Sequence, residues 1–227
     1  MALVTGGALV AGIVLVAFLL LSQPGGSTGP DVDLREPVTE APVGLADGRA
    51  LGVADAPVSL EIWSDFQCPA CGLYAQEVEP RLISQFVTPG TLRLVYRDFA
   101  FLGERGGGSY DESVEAATAA RCAADQGRFW PYHAYLFANQ RGENEGAFRA
   151  EVLDAIAAAV GLDRAAFAAC REGDPARAAT RSETAEGEAQ GVYFTPTLSL
   201  QGRLLDPTPS YDGLATLIRA AAGPVTP

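Results

Sequence analysis

A chain of 227 residues with 48% hydrophobic content can bury one sizeable core and still carry an appendage. A net charge of −12, with Arg as the only basic residue type, offers no electrostatic footprint for nucleic acid and argues against that partner. A single histidine, His133, leaves no room for a histidine metal cluster within one chain. In Phe129-Trp130-Pro131-Tyr132-His133 it reads as a packing residue, not a catalytic base.

Residues 2–21 carry no charge and are mostly Ala, Val, Leu, Ile, Phe and Gly. About 20 such residues suffice to cross a bilayer as a helix. A cleaved signal peptide is the competing reading, but neither a basic leading region nor a small-x-small cleavage site is visible, which favours an uncleaved membrane anchor. Residues 22–50 are rich in Pro, Gly and acidic side chains, lack an apolar period, and read as a flexible linker. The folded domain is expected over 51–227.

Val58-Ser59-Leu60-Glu61-Ile62-Trp63 reads as a buried strand. The chain then turns through Ser64-Asp65-Phe66-Gln67 into Cys68-Pro69-Ala70-Cys71, where a helical pattern begins with Leu73, Val78, Leu82, Ile83 and Phe86 on its apolar side. A thiol at a helix start sits among unpaired amides that favour an anion, so a reactive thiolate is expected. Thr91 to Arg97 alternates as a second strand, and strand–helix–strand at this length is a βαβ unit with parallel strands.

Helical patterns occupy an insert at about 109–190, with Cys122 in its first helix and Cys170 further on. Strand character returns from Val192 to Leu200, followed by a hairpin turn at Gln201-Gly202 and a last helix capped by Ser210. Four thiols could hold zinc, but Cys122 and Cys170 lie 48 positions apart, unlike the close second pair of a structural zinc site. A redox Cys-x-x-Cys with a structural disulfide is the better reading in an oxidising compartment.

Ser64 to Cys71, the helix Ala119 to Trp130 with its Gln126-Gly127-Arg128-Phe129-Trp130, and Gly191-Val192-Tyr193-Phe194-Thr195-Pro196-Thr197 together resemble the DsbA-like thiol:disulfide oxidoreductases, membrane-anchored type. The resemblance covers roughly residues 51–222. It implies an α/β thioredoxin-like fold with an inserted helical subdomain, preceded by one N-terminal transmembrane helix. It assigns Cys68 as the exposed nucleophile and Cys71 as its buried partner. Pro69, Ala70, Thr195 and Pro196 become supports of the active site, with Pro196 in a cis peptide bond. It also implies a structural disulfide between Cys122 and Cys170, against the alternative of two buried free thiols. The family's buried acid six positions before the first Cys is absent, since Ile62 stands there and Glu61 is one residue off, on the other face of the strand. Ala70 replaces the histidine often found between the cysteines, which leaves thiolate stabilisation to helix-terminus amides.

The implied activity is introduction of disulfides into reduced exported proteins on the extracytoplasmic side of the membrane. A quinone-linked membrane thiol oxidase would reoxidise the cysteine pair, and no metal or cofactor is called for. An envelope reductase or isomerase is the alternative direction of flow. A thioredoxin-fold binding module with idle cysteines is the alternative from another class.

Overall fold

The computed structural model describes residues 32–38, 42–103 and 110–223. The expected anchor at 2–21 lies outside these. Among the described residues no helix is long and apolar enough to cross a membrane.

Among the described residues six strands form one sheet in the order β1-β2-β4-β3-β5-β6: β1 Ala46–Asp47, β2 Ala50–Leu51, β3 Val58–Ser64, β4 Leu92–Asp98, β5 Thr197–Leu200 and β6 Arg203–Leu205. The central pair β3 and β4 is parallel, with Val58 opposite Leu92 and Ser64 opposite Asp98. Their crossover is α1, which starts as an α-helix at Pro69–Leu73. It continues through a π turn at Tyr74–Val78, α-helix at Glu79–Leu82 and a second π turn at Ile83–Val87. Pro80 has no amide to give to the preceding turn, and the wider turn just before it absorbs that loss.

Alternation in the strands sets the two faces. Leu60 and Ile62 of β3 and Leu94 and Tyr96 of β4 enter the main core. Trp63 points the other way and makes a small second cluster with Phe99 and Val192. The helical insert follows β4 as α2 Glu112–Ala124, α3 Phe129–Ala138, α4 Ala150–Ala159, α5 Arg164–Glu172 and α6 Asp174–Ala189. Gly187 lets α6 lie directly on the second face: a Cβ there would come within 2.9 Å of Trp63 and Phe99. Cys122 of α2 and Cys170 of α5 are joined in a disulfide with Cα atoms 5.8 Å apart. The hairpin β5–β6 turns at Gln201 and Gly202, both at positive φ, as a tight two-residue turn requires. Ser210 then caps α7, Tyr211–Ala222, by accepting from the Gly213 amide.

Two stretches differ from the sequence reading. The strand expected from Val192 forms only from Thr197, because Pro196 cannot donate to a ladder and Thr197 instead turns its hydroxyl onto the Phe194 carbonyl at 2.7 Å. Towards the end of the Pro/Gly-rich 22–50 stretch, β1 and β2 add to the sheet edge, with Ala50 opposite Val95 and Leu51 fully buried. Trp130 donates to the Ala50 carbonyl at 2.9 Å, and Asn139 brackets Arg35 by accepting from its amide and donating to its carbonyl. The stretch is too short for a period to register in the sequence, and the contacts that order it come from β4 and α3.

Candidate active site

Strand β3 delivers the chain to Asp65, whose carboxylate organises the turn. Its Oδ1 accepts from the Gln67 amide and the Ser113 hydroxyl, both at 2.8 Å, and its Oδ2 accepts from the amides of Phe101 and Leu102 at 3.0 and 3.1 Å. Burial pushes Asp65 up to about 6 against the pull of these donors. Gln67 extends the tie: its amide nitrogen donates to Ser113 at 2.8 Å and its oxygen accepts from the Asn144 amide at 2.6 Å. The turn is thereby fastened to the loop after β4 and to the insert.

Cys68 follows as the N-cap of α1, with Pro69 at the first helical position, where a missing amide costs nothing. Pro69 and Ala70 are exposed at the surface. Gln140, just beyond α3, donates to the carbonyls of Phe66 and Cys68, the latter at 3.1 Å. The Thr195–Pro196 bond is cis, and the loop it forms closes over the cysteines. The Cys68 thiol lies 3.4 Å from the Thr195 carbonyl, to which it donates when protonated.

The two thiols, free in this structure, are unequal. Cys71 is fully buried, and burial first, then the neighbouring Cys68 sulfur, pushes its pKa well up. Cys68 is lowered to about 6: the Cys71 thiol donating to it is the leading cause, with Thr195 and the amides of Cys71 and Ala70 adding to it against desolvation. Helix-terminus amides therefore do not act alone, contrary to the expectation from sequence. The partner thiol contributes more. Nor is Cys68 openly exposed: 8% of its surface is accessible, because the Thr195–Pro196 loop covers it. Glu61 is turned away from the cysteines, half-buried and facing Arg97.

The site draws together Cys68, Cys71, Pro69, Ala70, Thr195 and Pro196, while Cys122 and Cys170 sit apart in the insert. Sequence reasoning missed Asp65, Gln67, Ser113, Gln140 and Asn144. Asp65 had a usable signal, an Asp two residues before Gln67 in a turn. Gln67 sits in the same turn, while Ser113, Gln140 and Asn144 meet it from 46 to 77 positions away and carry no local mark. Around this centre Leu73, Tyr193 and Phe194 are exposed at 60, 77 and 41%, an apolar rim on both sides of the thiols.

The sequence model of the thioredoxin family matches residues 45–220. A probable disulfide bond formation protein D from Bacillus anthracis is 31% identical over 106 residues, 46% of each chain, so the match spans less than half the length of that relative. Among solved structures, BdbD from Bacillus subtilis in its oxidised form superposes with a TM-score of 0.67 at 18% identity, covering 83% of this chain and 99% of that one. A thioredoxin-like oxidoreductase from Silicibacter pomeroyi is 27% identical, with a TM-score of 0.60 over 74% of this chain and 88% of its own.

Proposed function

This chain belongs to the thioredoxin family, and from that premise we propose that it is a thiol:disulfide oxidoreductase that introduces disulfides into reduced, exported proteins. The carrying observation is the placement of Cys68: the N-cap residue of α1, its sulfur paired with a buried thiol and set against the cis Thr195–Pro196 loop.

The chemistry proceeds in two exchanges. A substrate thiolate attacks Cys68 Sγ of the Cys68–Cys71 disulfide; the Cys68–Cys71 bond breaks and Cys71 leaves as a thiolate that takes up a proton, as its raised pKa requires. A second substrate thiolate then attacks the substrate sulfur of the mixed disulfide, and Cys68 leaves as a thiolate. The substrate is oxidised by two electrons and the enzyme is left as the dithiol. A leaving thiol of low pKa departs faster, so the pKa of Cys68, near 6, favours release of oxidised substrate. The same stabilised thiolate favours the reduced enzyme, which makes the disulfide oxidising.

Substrate chains would lie along the Thr195 backbone, with Leu73, Tyr193 and Phe194 offering apolar contact to unfolded segments. The uncharged stretch 2–21 serves as a single-pass anchor with the domain on the extracytoplasmic side, where a membrane thiol oxidase returns the pair to the disulfide. Equilibration with glutathione tests the direction of flow. A reduction potential well above about −200 mV supports the oxidase reading, and one near or below about −270 mV, the range of thioredoxin, replaces it with the reductase.

A further inference from the structure

The geometry points to Gln140 as a positioning residue for Cys68, acting through the backbone of the active-site turn. This inference rests on the reading of Cys68 as the exchanging thiol. Gln140 Nε2 donates to two carbonyls at once, those of Phe66 and Cys68. The Cys68 carbonyl also accepts the first helical bond, from the Gly72 amide at 3.1 Å. Without Gln140 the Phe66 carbonyl would lose its amide partner beside a sulfur that must carry negative charge. The amide dipole of Gln140 offsets the negative ends of both carbonyls, and it pins the turn so that the sulfur stays aimed at the amides of Ala70 and Cys71 and at Thr195.

A second, independent feature marks the same contact. Gly72 is the residue after the buried cysteine, inside a helix where glycine is unfavourable. A Cβ at that position would fall 2.1 Å from Gln140 Oε1 and 3.0 Å from its Cδ. The glycine is the space into which Gln140 folds. The obstructing atoms are the far end of a flexible side chain, so Gly72→Ala should expel Gln140 and leave the helix intact, since alanine is the better helix former. Gln76, also on α1, adds a weaker tie to the end of α3 by donating to the Phe137 carbonyl at 3.4 Å.

The test is a titration of the Cys68 thiolate in the reduced protein by its ultraviolet absorbance, with a thermal melt of each variant alongside. Gln140→Ala should move the midpoint up by about one pH unit, as the two carbonyls lose their shared donor and the turn that aims the sulfur is freed, an effect of the size of one net hydrogen bond. At pH 5 that is about tenfold less thiolate; a more basic thiolate is more nucleophilic, so alkylation slows only about threefold. Gly72→Ala should move the midpoint the same way while its melt holds. The double variant should match Gln140→Ala alone, because the two act through one contact. An unchanged midpoint in Gln140→Ala overturns the proposal even if stability falls, since that would be a structural clamp only. Additive shifts in the double variant overturn it as well. If Gln140→Ala does not fold, the midpoint of Gly72→Ala decides the question: a rise supports the proposal and an unchanged value overturns it. Failure of the wild-type protein to exchange disulfides would sink the functional reading and leave this titration to decide Gln140 on its own.

Discussion

Glu79 Oε2 and His133 Nε2 stand 3.7 Å apart, both buried, and do not form an ion pair near neutral pH. Burial pushes Glu79 up to about 8 and His133 down to about 3, so each is held neutral. The rings of Phe66, Tyr96, Phe129, Trp130 and Phe137 surround His133, which is the packing role its aromatic segment suggested. A carboxyl whose folded pKa is raised from 4.5 to about 8 stabilises the fold below 4.5, and that contribution drains away as pH rises towards 8. Glu79→Gln should therefore be more stable than wild type at pH 8 to 9 and no more stable at pH 4, measured by urea unfolding of the oxidised protein. Cys68 has the opposite sign. Its folded pKa is lowered from 9.0 to about 6, so the thiolate adds stability to the reduced form that is complete above pH 9 and gone below pH 6. The gap in melting temperature between reduced and oxidised protein should move in favour of the reduced form from pH 6 to 9. A flat gap would mean that Cys68 titrates as an ordinary thiol.

The Cys122–Cys170 bridge ties α2 to α5 across 48 positions. By loop-closure entropy it contributes up to about 4 kcal/mol. Cys122→Ser with Cys170→Ser should lower stability by about 3–4 kcal/mol in denaturant titration and leave the Cys68 titration where it is. A changed Cys68 midpoint would show that the insert's packing reaches the site. At this scale the sequence is legible where a signal is local. The Cys-x-x-Cys at a helix start, the Gln201-Gly202 turn and the Ser210 cap each announce themselves within a few residues, whereas the Thr195-Pro196 pair is marked only by the family resemblance. What escapes is tertiary: β1 and β2 are two-residue strands, too short for any period, and Gln140 meets the Cys68 turn from 72 positions away. The disulfide pairing is legible only through family resemblance, since spacing alone leaves two free thiols open.

The pieces of the domain are joined by a buried charge cluster. Glu183 of α6 accepts from Arg49 before β2 at 2.6 Å and from Arg121 of α2 at 2.6 Å, and it lies 3.1 Å from Arg97 of β4. Asp98 at the end of β4 is 2.6 Å from Arg121 and 3.3 Å from Arg49. Burial pushes Glu183 up, but the Arg49 hydrogen bond and the charges of Arg49 and Arg121 outweigh it and hold the carboxylate low. Removing one partner of a buried pair costs about 3–5 kcal/mol when the other is left uncompensated. Glu183→Gln takes the shared carboxylate from Arg49, Arg97 and Arg121 together and should approach that cost. Arg49→Ala leaves both acids with Arg121 and should cost less. The reverse order in chemical unfolding would show that the cluster is not organised around Glu183.

For the molecule as a whole, the central claim is that Cys68 exchanges disulfides with protein substrates while the buried Cys71 opens and closes the disulfide with it. Cys71→Ala removes the thiol that, in the reverse of the first exchange, would attack Cys68 Sγ and expel the bound substrate, and it leaves the Cys68 turn in place. Presented with cell-envelope proteins carrying disulfides, this variant should accumulate mixed disulfides that dissolve under reductant and are absent when Cys68 is also replaced. No trapped species, or trapping that survives loss of Cys68, would contradict the account.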